Sequence, residues 1–320
     1  ILQNKKYIGD NAFSGCTFEN IEIPEGIIEI GSSAFGNCSQ LKKVKLPESL
    51  KSMGRDAFWF CYNLEEINIP SNLESIEPYT FAYSGLTNIT IPDNITKIGE
   101  YAFKHTELKK IELKGTIEQI EEETFSECAE LEYAILPSTL KSLEQKAFYQ
   151  CSNLVAIQIG KDLKNVKESA FAQCEKLGDV DYLGSSEEQS EITIKDGNDF
   201  LKKARWNYET EFPEDYEKIV KVEGISYQIN PDGRTYAVIA SDGEISGKVE
   251  LPEALEGKKI TRLAESAFEQ QKQLEEIIVP LSLEKVGNRV FFGCENLKKI
   301  NMPDNLLEIG ESAFYECRTL

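Results

Sequence analysis

Nucleophilic or metal-assisted chemistry in this 320-residue chain would have to use its eight cysteines or its single histidine. A zinc site draws two donors from one tight turn, as in C-x-x-C, and no such pair occurs. Instead Cys16, Cys38, Cys61, Cys128, Cys151, Cys174, Cys294 and Cys317 each lie three residues after a phenylalanine. Thiols that share one register read as core filling, because free cysteine packs as a small apolar side chain. Neighbouring thiols come within bridging reach, but a column of parallel side chains favours packing, so eight free buried thiols are expected. His105 is the only imidazole, so any triad or Cys-His pair must use it; G-x-S-x-G, P-loop and H-E-x-x-H sequences are absent. Asp196, Asp199 and Asp232 lack the spacing of a calcium loop and read as turn residues. The reading therefore assigns no catalytic, cofactor-binding or metal-binding residue, and it expects a non-enzymatic chain without a cofactor.

The phenylalanines that set this register are Phe13, Phe35, Phe58, Phe81, Phe103, Phe125, Phe148, Phe171, Phe268, Phe291 and Phe314, spaced 22 or 23 residues apart within each run. A fixed period of that length is the mark of a solenoid. Residues 31–53 show one full unit, with Ala34, Phe35, Cys38, Leu41, Val44, Leu46, Leu50 and Met53 as its apolar positions. No such unit closes a core alone; stacking buries a continuous column, and stability becomes a sum of neighbour interfaces. Leu41-x-x-Val44-x-Leu46-Pro47 ends in two-residue alternation, which predicts a short strand that proline stops. The following Gly, polar pair and Ala-Phe predict a turn of helix. The expected fold is an α/β repeat solenoid: leucine-rich repeats of 22–23 residues, a parallel sheet on one side, short helical or 3₁₀ turns on the other.

The pattern I-G-x-x-A-F-x-x-C-x-x-L-x-x-I-x-I-P, nearly intact at residues 30–47 and again from residue 309, resembles the BspA-like leucine-rich repeat family. The resemblance covers most of residues 1–183 and 248–320. It implies a bacterial surface or secreted protein, in several cases an adhesin, and carries no site residues. Departures are Glu77-Pro78 and Glu121 in place of glycine, and Ser84, Thr106 and Gln271 in place of cysteine.

Between Phe171 and Phe268 the period lapses. The expected division is a first array of about eight repeats over 1–183, an array-end module over 184–208, an acidic linker with a β-hairpin over 209–247, and a second array of about three repeats over 248–320. Within the module, 186–190 reads as a short helix, 191–194 as a strand, 201–203 as a second helical turn and 205–208 as a strand. Residues 210–217 read as the linker, and 225–229 with 236–240 as a hairpin turning at 230–233. Because the chain starts and stops within a repeat, it reads as an excised portion of a longer protein, with any targeting or anchoring segment outside it.

With 55 acidic and 35 basic residues the net charge is −20. An acidic surface repels phosphate backbones, so nucleic acid is a poor partner, and no apolar run is long enough to span a membrane. A monomer at the cell surface or outside the cell, binding a protein partner, is expected. Outward strand positions flank each central strand residue. Lys43 beside Glu66 and Glu22 beside Lys45 read as cross-strand ion pairs. Tyr133, Ile135 and Ala156, with Val155 and Gln158 beside them, break the polar rule and form the candidate protein-binding site, unless another part of the chain covers them. The alternative is a structural spacer or accessory module that projects other domains.

Overall fold

A computed structural model describes residues 2, 4–209, 219–230, 234–241 and 243–320. The chain divides into two compact units, Ile1–Glu211 and Phe212–Leu320.

In the first unit each repeat contributes two short strands and one turn to a stack of parallel rungs. Lys43–Lys45 pairs with Asn20–Glu22 and Glu66–Ile67, with Val44 in register with Ile21 and Ile67. Farther along, Lys110–Glu112, Tyr133–Ile135, Ala156–Ile159, Asp179–Tyr182 and Arg205–Tyr208 form one five-stranded parallel sheet. A second ladder of two-residue strands, such as Glu29–Ile30 against Ser52–Met53, runs along another side. Gly54 follows this strand because a Cβ there would lie 2.5 Å from Ser32 N.

The Ala-Phe segment, expected to be helical or 3₁₀, is a run of β-turns instead, which corrects the α/β description. Two residues in each such segment adopt positive φ, as Ser33 at 53° and Asn37 at 60° do, which a right-handed helix forbids. Half of the N–H groups close i−3 turns (Ala34 N to Gly31 O, Gly36 N to Ser33 O), and the rest donate to the next rung. Phe35 N reaches Ala57 O at 2.9 Å and Asn37 N reaches Trp59 O at 2.7 Å. Every such rung interface thus gains a backbone ladder on its turn side, which gives these amides partners. Among the described residues the helices are α1 (Ser186–Ser190) and α2 (Asp199–Lys203).

Inside, Phe35, Phe58, Phe81, Phe103, Phe125, Phe148 and Phe171 are fully buried, and successive rings stack at 5.2–5.9 Å. The cysteines stand in the expected inward column as free thiols, six buried and two half-buried. They do more than fill space. Each Sγ that reaches a preceding rung donates to its phenylalanine carbonyl, Cys61 to Phe35 O at 3.2 Å and Cys151 to Phe125 O at 3.1 Å.

The array-end module is a closing rung. Ser185 caps α1 through a reciprocal pair, Glu188 N to Ser185 Oγ and Ser185 N to Glu188 Oε2. Thr193–Ile194 extends the second ladder on Asn165–Val166, and Arg205–Tyr208 extends the sheet. Asn198, fully buried, completes the turn ladder: its Oδ1 accepts from Phe171 N at 2.9 Å and its Nδ2 donates to Lys167 O at 2.8 Å.

In the second unit Ile219–Val222, Ile225–Ile229 and Tyr236–Ser241 pair antiparallel. Tyr236–Ser241 then receives the parallel strand Lys258–Leu263, followed by Lys285–Val286 and Glu308–Ile309. Gln271 replaces cysteine because it ties this start together, donating to Ser241 Oγ and Gly243 O and accepting from Ile245 N. The linker at 210–217 lies outside the described residues, and so does the turn at 231–233.

Candidate protein-interaction surface

The sheet brings the five nominated residues together. Tyr133 stands opposite Ala156 and Ile135 opposite Gln158 on neighbouring strands, with Val155 just before the second. They are not the exposed patch expected from sequence. Tyr133 is 8% exposed and Ala156 is 0%, while Ile135, Val155 and Gln158 are half-buried. Their outward neighbours Asp179 and Asp181 are buried too, held by Arg205 Nε on Asp179 at 2.8 Å and by Asn207 Nδ2 on both carboxylates. At the other end of the array the strand face is polar, and Lys45 pairs with Glu22 at 2.6 Å and Lys43 with Glu66, as anticipated.

A second surface lies on the turn side, where the repeats beginning at Phe81 and Phe103 are one residue shorter between the phenylalanine and the strand than those at Phe35 and Phe58. Gly85 sits there because a Cβ would meet Tyr62 O at 2.4 Å. Ser84 and Thr106 take the cysteine position. Thr106 Oγ1 bonds Phe103 O, whereas the buried Ser84 hydroxyl finds no partner. The result is a notch of about 610 Å³, lined by Tyr62, Tyr83, Thr87, His105, Glu107, Lys109 and Glu130 among others. Residues 87–90 form no strand, so the sheet breaks beside Thr87 and a groove with Lys43, Glu66, Asn88 and Lys110 along it, and Ile67 and Ile89 also lining it, opens from the same place.

Aromatic rings line this edge. Trp59 stacks on Phe60 at 3.9 Å, Phe60 meets Tyr62 at 5.4 Å and Tyr83 at 4.8 Å, and Tyr83 meets His105 at 5.1 Å. Tyr79 and Tyr101 stack at 4.5 Å one column away. Phe60, Tyr79, Tyr83, Tyr101 and His105 all hold φ between 54° and 60°. Asn37 and Gly15 serve the same backbone position in other rungs. Bulky side chains are poor occupants of the left-handed region, so something other than turn formation favours rings here.

Charge is concentrated beside the rings. Lys104 Nζ bonds Glu123 at 2.6 Å and Glu127 at 2.9 Å, and His105 Nδ1 lies 3.3 Å from Glu127. Burial works against both charges, yet the hydrogen bonds prevail: Lys104 is raised above the usual lysine range, and Glu127 is held below the usual carboxylate range by Lys104 and then His105. Burial, with Glu122 and Glu123 nearby, pushes the Tyr101 phenol up to about 12. His105 Nδ1 thus faces Glu127, and Cys128, in the next rung, is fully buried and raised to about 11 by that burial. Among the described residues no group of three His, Cys, Asp or Glu is arranged to hold a metal ion, and no helix is long and apolar enough to cross a membrane.

Sequence reading passed over this edge. Its trace was present in two places: the 22-residue spacing from Phe81 through Phe103 to Phe125, and the loss of cysteine at Ser84 and Thr106 in those same repeats.

The BspA type leucine-rich repeat region matches this chain in six copies, over residues 6–132, 74–192 and 250–320. Among solved structures, a leucine-rich repeat protein from Bacteroides ovatus is similar at 22% identity and a TM-score of 0.43, the match covering 94% of this chain and 85% of that one. A leucine-rich cell surface protein from Faecalibacterium prausnitzii is 21% identical with a TM-score of 0.39, covering 99% and 82%. The leucine-rich repeat protein of T. pallidum is 27% identical with a TM-score of 0.48, covering 53% of this chain and 82% of its own. No protein of curated function matches the chain.

Proposed function

The chain belongs to the BspA-type leucine-rich repeat family, and we propose that it is a non-enzymatic binding protein that presents an adhesin-like face to another protein at the cell surface or outside the cell. The observation that carries this reading is the aromatic edge of the short rungs. Trp59, Phe60, Tyr62, Tyr79, Tyr83 and Tyr101, with Arg55 among them, are the residue types that supply most binding energy in protein interfaces. They are gathered beside a notch, on a rigid stack, in a backbone conformation that taxes bulky side chains. Rings held in place by their neighbours lose little freedom on binding, which favours recognition over solubility as the reason for their presence.

Tyr133, Ile135, Val155, Ala156 and Gln158 are a second proposed contact region, which a partner reaches through its half-exposed members.

The test is capture of extracellular-matrix and cell-surface proteins by the immobilised chain. Tyr62→Ala with Tyr83→Ala is expected to lower capture at least about tenfold, in keeping with two interface anchors, while the melting temperature stays near that of the parent. Tyr133→Ala with Ile135→Lys probes the second region. Capture that survives both pairs of substitutions refutes the binding reading and favours a spacer.

A further inference from the structure

We propose that the notch at the short rungs receives a basic, extended peptide segment of a partner, with an arginine or lysine side chain seated on Tyr62 and neutralised by Glu107 and Glu130. This rests on the reading of the aromatic edge as the recognition surface and adds what is recognised there.

The edge already holds cations from its own chain. The Arg55 guanidinium lies 5.7 Å from the centre of the Tyr79 ring, and the Lys104 ammonium lies 5.6 Å from that of Tyr101. A cation over an aromatic face is attracted by the negative face of the π-system, more strongly as water is displaced. Tyr62 is built for the same use but lacks the occupant. One of its faces stacks on Phe60, the ring is 55% exposed, and no cation of the described residues lies over it.

The charges point the same way. Glu107 and Glu130 line the notch, are exposed, and form no ion pair among the described residues. Lys104 does not answer them, being committed to Glu123 and Glu127. The bases lining the notch are Lys109 and His105, and His105 lies 3.3 Å from Glu127 rather than pairing with Glu107 or Glu130. A cation arriving between Tyr62 and these carboxylates meets a ring face on one side and unanswered charge on the other, and the chain's net charge of −20 steers it there. The segment is extended because the notch crosses rungs set about 4.8 Å apart and continues at Thr87 into the groove where the sheet is broken.

The probe is a labelled oligo-arginine peptide, titrated into the chain at physiological ionic strength and followed by fluorescence anisotropy. Tyr62→Ser is expected to weaken binding about 3- to 10-fold, the loss of one partly desolvated cation–π contact. Glu107→Gln with Glu130→Gln is expected to weaken it by a similar factor and to flatten its salt dependence. Glu187→Gln with Glu191→Gln removes the same charge from the array-end module, about three rungs of about 4.8 Å beyond Glu130, and is expected to change binding less than about twofold, as screening beyond about 10 Å requires. Oligo-lysine is expected to bind more weakly than oligo-arginine, since a planar guanidinium stacks and an ammonium does not. Equal losses from both carboxylate pairs with no effect of Tyr62→Ser would overturn the proposal, because binding would then be diffuse attraction to an acidic protein. If oligo-arginine fails to bind while Tyr62→Ala with Tyr83→Ala still abolishes capture of a protein partner, the basic segment is wrong and the recognition edge stands; if neither moves, both fall.

Discussion

Replacing Phe58 with alanine tests the register on which every other assignment depends. Phe58 is 0% exposed and sits between Phe35 at 5.2 Å and Phe81 at 5.9 Å, both nearly parallel to it. Truncating a buried phenylalanine costs about 3–5 kcal/mol, the spread depending on how far the site can collapse. Here collapse is opposed. Phe58 N is tied to Thr80 O at 2.9 Å and Phe35 N to Ala57 O at 2.9 Å, so the walls of the cavity are pinned by the turn ladder on both sides. The two lost ring pairs account for about 1–3 kcal/mol of the total, at about 0.5–1.5 kcal/mol each, and the upper half of the range is expected. Lys45→Ala is the control: its pair with Glu22 is two-thirds exposed on both sides, and the change should be small beside that at Phe58. Urea unfolding followed by tryptophan fluorescence reads this directly, since Trp59 and Trp206 both belong to the first unit and lie near opposite ends of its stack. Similar losses at Phe58 and Lys45, or a loss at Phe58 below about 1 kcal/mol, would refute the packing argument.

Three further outcomes follow from the same interior. Asn198→Ala strands the buried Phe171 N–H, while the Lys167 carbonyl keeps its bond from Ala170 N, and should cost about 1–3 kcal/mol in the same unfolding experiment; a neutral result would mean that the array needs no closing bond. Thiol titration in denaturant without reductant should count eight, with the half-buried Cys16 and Cys317 reacting first in the native protein; a count of six or fewer would reveal bridges between rungs. For the charge cluster the sign is set by the two directions. Glu127, lowered, contributes stability that is present above pH about 4.5 and lost as pH falls through its folded value, whereas Lys104, raised, contributes stability that is present below about 10.5 and lost as pH rises through its own. Lys104→Met should therefore shrink the acid-side fall in melting temperature while leaving the neutral plateau flat, and an unchanged acid limb would show the cluster to be incidental.

The parts of the fold that were legible in sequence are those in which one chemical requirement recurs in every rung. Phe, Cys and Leu repeat because each must fill the same slot beneath its neighbour, and the Leu-x-x-Val-x-Leu-Pro strand repeats because only alternation puts Val44 inward and Lys43 and Lys45 outward. The turn was misjudged because its Ala-Phe segment has the i−3 closures of a helix locally, and what separates it from a helix is the partner of the remaining amides, which lie a whole rung away at Ala57 and Trp59. Burial of Tyr133 and Ala156 was out of reach for a similar reason: the outward position of a strand residue follows from its own spacing, but what lies over that face does not.

The aromatic edge was missed because its rings occupy a column that has no fixed composition. At the second residue after each phenylalanine the array carries Gly15, Asn37, Phe60, Tyr83, His105, Glu127, Gln150 and Gln173, all with positive φ. A position that accepts glycine, asparagine and tyrosine alike is not chosen for packing, since the slots beneath it hold Phe, Ala and Cys with almost no variation. Its identity is free to answer to something outside the stack. The same freedom is absent from the inward column, where changing one ring disturbs two interfaces at once. A solenoid therefore separates the two demands by direction: inward columns keep the period, and outward ones vary rung by rung. Where that column carries Tyr83 and His105, the inward spacing is 22 residues and cysteine gives way to Ser84 and Thr106, whereas the Phe60 rung keeps the 23-residue spacing and Cys61. The short spacing, the lost cysteines and the rings of Tyr83 and His105 thus coincide in one notch, and this coincidence supports the proposed recognition surface more than the aromatic content alone does.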